Sequence, residues 1–150
     1  MPTNLYCLND NFDLKFSHVL LAIIRKFHES KINDNIPVTL WGYGTPLREF
    51  LYVVDLANTV LFALSKNLDE HLYNVGPGEE ISIKDLALMI RSITSHEGEI
   101  IRDTTKPDGT PRKLLDTLKL RNKKWYPKTD LTKGIQRTYQ VYKKYPKPFN

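Results

Sequence analysis

Trp41-Gly42-Tyr43-Gly44-Thr45-Pro46-Leu47-Arg48-Glu49-Phe50 joins two runs that read alike on either side of a turn. Before it, Pro37-Val38-Thr39-Leu40-Trp41 has the composition of a strand, and it stops at the Gly42/Gly44 turn. After it, Glu49-Phe50-Leu51-Tyr52-Val53 reads as another strand. The stretch also sets an indole and a guanidinium on either side of a flexible turn, which is how a loop holds a flat ring and a phosphate together. A second run, Lys106-Pro107-Asp108-Gly109-Thr110-Pro111-Arg112-Lys113, again places a Gly/Pro turn beside fixed cations. Together the two runs read as the walls of a site for a nucleotide-type ligand.

Working outward, strands alternate with helices. Residues 2–6 are short and extended and lead into the polar loop Asn9-Asp10-Asn11-Phe12-Asp13. From Ser17, the apolar residues Val19, Leu20, Ile23, Ile24 and Phe27 recur at three- and four-residue spacing, the mark of an amphipathic helix. Asp55 reads as the N-terminal residue of a second helix carrying Leu56, Ala57, Val60, Leu61 and Leu64. Leu72-Tyr73-Asn74-Val75 reads as a strand entering Gly76-Pro77-Gly78. Ser82 is a good N-cap for a helix that buries Ile83, Leu86, Ala87 and Ile90. Glu99–Arg102 reads as a further strand, Leu114–Leu120 as a short helix, and Thr129 as the cap of a last helix carrying Leu131, Ile135, Thr138, Tyr139 and Tyr142. The fold class expected is α/β, with residues 1–150 forming one domain, because no repeat or low-complexity linker interrupts the chain.

Composition narrows the function classes. The 150 residues carry 22 Lys and Arg against 17 Asp and Glu, a formal net charge of +5. This excess is spread along the chain with local density at 106–124, so a polyanion partner is allowed but not demanded and an anionic small molecule suits it equally well; of the two, the small molecule is expected and no nucleic acid. The single cysteine, Cys7, excludes an internal disulfide framework and fits a reducing compartment. Neither a signal peptide nor a membrane-spanning apolar run is visible, so a cytoplasmic, membrane-free protein is expected.

The order and wording of these segments, from Met1-Pro2-Thr3-Asn4-Leu5-Tyr6 to the last helix near Tyr139, resemble the carboxy-terminal half of the GDP-L-fucose synthase family. Those enzymes are extended short-chain dehydrogenase/reductases that epimerise and reduce GDP-4-keto-6-deoxy-mannose with NADPH. The resemblance implies a GDP-sugar substrate, NADP(H) as cofactor, and compatibility with a homodimer of the complete enzyme. It places Arg48 and Lys113 on the diphosphate, Asp108 as a hydrogen-bonding partner of the ligand, and Trp41 as a surface near the nucleotide. By composition alone Lys106–Lys113 would be a solvated turn. Lys26 falls where the family has a basic substrate contact.

Ser17-His18-Val19 matches the family's site for a histidine that shuttles protons during epimerisation. Inversion of carbons alpha to a ketone needs one group to remove a proton and one to return it, and an imidazole does both near neutral pH. The competing reading of His18 is an exposed helix-entry residue. Pro2, Thr3, Asn4 and Leu5, together with His18, lie where the family passes the nicotinamide end of the cofactor. The remaining histidines, His28, His71 and His96, have no counterpart and read as surface residues.

Four positions depart from the family pattern: Cys7 and Leu8 in place of Gly-Pro, Leu21 in place of a proline, and Val54 in place of the first Asp of a pair. Cys7 would cost backbone freedom if its site needs a positive φ.

A reductase also needs a glycine-rich strand-to-helix turn for the dinucleotide pyrophosphate and a Ser with Tyr-x-x-x-Lys to protonate the ketone oxygen. Neither occurs where it should. Tyr139 to Lys143 has the spacing but lies in the last helix, and it reads as a decoy. The chain is therefore expected to be a substrate-binding domain with terminal pieces of a Rossmann sheet, lacking the amino-terminal dinucleotide-binding domain and inactive alone. The alternative is a non-catalytic remnant that retains sugar nucleotide affinity.

Overall fold

The computed structural model describes residues 1–66, 68 and 71–145. The chain runs β1 (Asn4–Tyr6), α1 (Val19–Ile32), β2 (Val38–Trp41), β3 (Leu47–Arg48), β4 (Phe50–Tyr52) and α2 (Val53–Lys66). It continues with β5 (Ile81–Ser82), α3 (Ile83–Thr94), β6 (Ile100–Asp103), β7 (Arg112–Lys113), α4 (Leu118–Asn122) and α5 (Leu131–Lys144). The α/β class expected from the sequence is what the structure shows.

Three helices build the main core because their apolar residues fall on single faces. Leu20, Leu21, Ile23, Ile24 and Phe27 of α1 meet Leu86, Ala87 and Ile90 of α3 and Ile135, Tyr139 and Tyr142 of α5 in one cluster. Each such aliphatic or aromatic side chain contributes about 1.5–3 kcal/mol by leaving water. Leu21, the departure from a family proline, is fully buried, and its amide donates to the His18 carbonyl at 3.1 Å. A second cluster gathers Leu51, Val75, Leu120 and Trp125.

The strands form three small sheets. β1 pairs in parallel with β4, and β2 pairs in parallel with β6 from Val38↔Ile100 to Trp41↔Asp103. β3 lies between β5, antiparallel, and β7, parallel, with Leu47↔Arg112 and Arg48↔Lys113 opposite one another.

Several expectations are corrected. The run 72–75 makes only an isolated bridge, Pro2↔Val75, in which Val75 N donates to the Met1 carbonyl at 2.8 Å and Thr3 N to the Val75 carbonyl at 3.0 Å, too short a pairing to make a strand. Residues 49–53 are not one strand: buried Glu49 interrupts the ladder, and the second helix starts at Val53 rather than Asp55. Asp55 instead turns its carboxylate to the amides of Lys128 and Thr129, at 3.1 and 3.0 Å. The helix expected over 114–120 begins only at Leu118, because 112–113 are drawn into the β3 ladder. The last helix is capped by Asp130, whose carboxylate accepts from Lys133 N at 2.8 Å, and not by Thr129. Ser82 caps α3 as expected, accepting from Asp85 N at 3.0 Å.

Two histidines expected at the surface are not there. His96 is buried, with Nε2 2.7 Å from Ser30 Oγ and its ring against Phe27. His28 is half-buried, with Nδ1 3.2 Å from Tyr139 Oη. Tyr139 is thus a core residue whose hydroxyl burial pushes upward in pKa, and Lys143 sits over its ring, 5.1 Å from the centroid. Tyr139 sits in the helical core cluster with Ile135 and Tyr142. Cys7 does not adopt a positive φ, so its position makes no demand for glycine.

Candidate functional site

β2 is only four residues long, and its alternation decides where Trp41 goes: Val38 and Leu40 point inward, Thr39 and Trp41 outward. The indole is 65% exposed, far more than a core tryptophan. At its foot lies a small cavity of about 160 Å³ walled by Leu14, Val19, Ile23, Lys26, Trp41 and Ile83. Lys26 reaches it from α1 and donates from Nζ to the Thr39 carbonyl at 2.8 Å. Burial pulls the Lys26 ammonium below its usual pKa range. The cavity has room for a ring-sized group.

On that face the turn after Trp41 and the loop after β6 are clasped together. Asp108 accepts from Tyr43 N and Gly44 N, both at 3.1 Å, and Gly42 N donates to the Asp103 carbonyl at 2.9 Å. The clasp explains both glycines. Gly42 has φ +67° and a Cβ there would stand 2.3 Å from Asp108 Oδ1; Gly44 has φ +76° and a Cβ there would stand 2.7 Å from Arg102 Nη1. Asp108, expected on the ligand, therefore has both oxygens engaged by backbone.

Further cations lie on the strands and loops that flank the clasp. Arg48 and Lys113 are register partners on β3 and β7. Arg48 donates from Nη1 to its neighbour's carbonyl, Leu47 O, at 2.7 Å, while Lys113 is exposed. Lys106 Nζ stands 5.8 Å from the Trp41 ring centroid, a cation–π distance. Arg102 lies behind the turn: burial lowers its guanidinium pKa, Asp108 opposes that shift, and Nη1 has no hydrogen-bond partner among the described residues.

The sequence reading missed Lys106 and Arg102 as individual site residues. Arg102 is opposite Leu40 in the β2–β6 ladder, a pairing across 62 residues that no local pattern discloses.

His18 sits at the N-cap of α1, exposed, with an extended backbone, and its side chain makes no capping bond. Val19, the next residue, walls the Trp41 cavity. Pro2–Leu5 belong to another part of the structure. Thr3 Oγ1 and Asn4 Nδ2 both donate to the Glu49 carbonyl, at 3.1 and 2.8 Å, and Thr3 N donates to Val75 O at 3.0 Å. Buried Glu49, also missed, accepts from Gly78 N at 2.6 Å and Leu115 N at 3.3 Å, which ties this region to the segment behind β7. A larger groove of about 610 Å³, between residues 77–81 and 126–132, is lined by none of the residues expected to bind ligand.

The strand-and-helix layout is one shared with epimerases and reductases of the short-chain dehydrogenase/reductase type, over about half of their length. The chain belongs to the NAD dependent epimerase/dehydratase family, whose model matches residues 1–76. It is 49% identical over 142 residues to a putative GDP-L-fucose synthase 2 of Arabidopsis thaliana, covering 95% of this chain and 43% of the relative. It is 41% identical to the GDP-L-fucose synthase of Escherichia coli, covering 95% of this chain and 47% of the relative. Among solved structures it resembles a GDP-L-fucose synthetase of Naegleria fowleri bound to NADP, with a TM-score of 0.86 and 30% identity over 95% of this chain and 45% of that one. The chain thus spans under half the length of the curated relatives named here.

Proposed function

We propose that this chain is the sugar nucleotide-binding side of a GDP-L-fucose synthase, working with a dinucleotide-binding half to epimerise and reduce GDP-4-keto-6-deoxy-D-mannose to GDP-L-fucose. The observation that carries the reading is the pairing of Arg48 with Lys113 on adjacent strands, with an exposed Trp41 at the other end of the turn that Asp108 clasps. Two fixed cations one strand apart suit a diphosphate, and the indole suits the base. Relatives of that name align with nearly all of this chain, which supports the assignment.

In this reading Lys26 and Trp41 hold the nucleotide end, Arg48 and Lys113 the diphosphate, and Asp108 fixes the loops that carry them. His18 exchanges protons with the sugar carbons through its uncommitted capping position. The NADP(H) fit is partial. Pro2–Leu5 offer backbone toward a nicotinamide end, with Thr3 and Asn4 side chains already turned to Glu49. No glycine-rich cradle for a pyrophosphate exists in the sequence, so the remaining contacts belong to the other half. When bound, the cofactor supplies hydride. The proposal extends to a cytoplasmic location, supported by the lone Cys7, and to a homodimer of the complete enzyme.

The test is calorimetric titration of the chain with GDP and with guanosine. GDP should bind with salt sensitivity, and Arg48→Ala or Lys113→Ala should each cost about 1.5–3 kcal/mol, the scale of charged hydrogen bonds. Guanosine binding should change far less. Identical GDP affinity in wild type and both variants would reject the assignment.

A further inference from the structure

Arg48 and Lys113 stand on very little backbone. β3 is Leu47–Arg48 and β7 is Arg112–Lys113, so two register pairs are all that the ladder supplies to hold one cation beside the other. A pairing that short is marginal without other support.

The support comes from the residue after Arg48. Glu49 is fully buried, and a carboxylate taken out of water is costly unless hydrogen bonds offset the loss. Its bonds reach two distant segments. Oε1 accepts from Gly78 N at 2.6 Å and Oε2 from Leu115 N at 3.3 Å, and Leu115 lies two residues past Lys113. The turn Gly76-Pro77-Gly78 closes on the carboxylate so tightly that a Cβ at Gly76 would stand 2.4 Å from Oε1. The backbone of Glu49 is pinned as well, its carbonyl accepting from Thr3 Oγ1 and Asn4 Nδ2 at 3.1 and 2.8 Å. A side chain held at both ends thus starts one residue from Arg48 and finishes on the segment that carries Lys113.

We propose that Glu49 is a positioning residue for the diphosphate site: its buried carboxylate sets Arg48 and Lys113 at the separation a diphosphate needs, without touching the ligand. This rests on reading those two cations as diphosphate contacts. The expected sign opposes simple electrostatics. Removing a negative charge near two cations leaves the site more cationic and by itself strengthens the binding of an anion, whereas removing a positioning group weakens it.

The experiment is calorimetric titration of the full chain with GDP and with guanosine. Glu49→Gln keeps the shape and one acceptor oxygen but loses the charge and the second acceptor. Glu79→Gln removes the same charge from an exposed residue next to the same turn and serves as control. Glu49→Gln is also made in the Arg48→Ala background.

Glu49→Gln should weaken GDP about ten-fold, the scale of one charged hydrogen bond, and guanosine by less than about two-fold. In the Arg48→Ala background the same substitution should cost about three-fold or less, because the two residues act through one contact. Glu79→Gln should leave GDP binding unchanged or slightly tighter. Should Glu49→Gln not fold, amide exchange in the wild-type chain decides: GDP should slow exchange at Gly78 and Leu115, the amides that the carboxylate holds, and unchanged rates overturn the proposal.

GDP affinity unchanged or raised in Glu49→Gln also overturns it. So does an equal loss for guanosine, which would make Glu49 a general support of the fold, or the same loss in Glu79→Gln, or an undiminished loss in the Arg48→Ala background. If GDP binding responds to Arg48→Ala and Lys113→Ala but not to Glu49→Gln, this inference fails alone. If it responds to none of the three, the proposed function fails and the inference with it.

Discussion

Replacing Asp108 should loosen the site before any ligand is present. Its carboxylate accepts from Tyr43 N and Gly44 N at 3.1 Å each, and it faces the partly buried Arg102. Bonds to a charged acceptor are worth about 1.5–3 kcal/mol each. Asp108 is only half-buried, however, so its freed amides regain water, and a net loss nearer ~2 kcal/mol is expected for Asp108→Ala. At about 2–4 °C per kcal/mol for a domain of this size, the melting temperature should fall by about 4–8 °C. Asp108→Asn keeps one acceptor oxygen and should lose about half as much. Thermal unfolding by circular dichroism, paired with GDP titration, separates the clasp from a ligand contact. If Asp108 instead touched the ligand, the Asn variant would lose GDP affinity at an unchanged melting temperature, and that result would refute the clasp.

Three further predictions concern the core and His18. In a helix interior Gly→Ala ordinarily gains about 1 kcal/mol. Gly134→Ala should instead destabilise, because a Cβ there would lie 2.0 Å from Tyr6 Oη and overpacking costs about 1–3 kcal/mol; a raised urea midpoint would contradict this. Burial raises the hydroxyl pKa of Tyr6, Tyr52, Tyr139 and Tyr142. The folded chain thus keeps protons that the unfolded chain releases above about pH 10, so this stability is complete below about 10 and drains as pH climbs through the folded values. Lys26, shifted downward, works the other way, so urea midpoints between about pH 8 and 11 that rise instead of fall would show the tyrosines are not the dominant groups. In the chain joined to the unmatched portion of the Arabidopsis enzyme, His18→Gln should cut deuterium incorporation at the sugar carbons by about two to four orders of magnitude and hydride transfer by less; unchanged exchange makes His18 a helix-entry residue only.

The parts legible in the sequence are those specified within a few residues. α1, α3 and α5 announce themselves by three- and four-residue apolar spacing, and Val38–Trp41 by its strand composition before a glycine turn. The parts that escaped are set by distant partners. Lys113 becomes strand only because Arg48 lies opposite it, 65 residues earlier in the chain. Leu72–Tyr73–Asn74 has strand composition, but only Val75 finds a bridge. His96 turns inward because Ser95, at φ 56°, ends α3 in a left-handed cap and redirects the chain toward Ser30. In the site, the Trp41 platform and the Arg48–Lys113 cations were visible as residue types beside turns. The engagement of Asp108 with backbone was not, since it depends on where two loops meet.

In the function proposed above, this chain carries the sugar nucleotide half of a reaction whose hydride half lies elsewhere. The most direct measurement is NADPH oxidation with GDP-4-keto-6-deoxy-mannose, by the chain alone and by the chain joined to the unmatched portion of the Arabidopsis enzyme. Binding energy at the substrate end does not replace an absent hydride site. No turnover is expected from the chain alone and substrate-dependent turnover from the joined protein. Turnover by the chain alone, or a folded joined protein that binds NADPH and GDP yet never consumes NADPH, would contradict it.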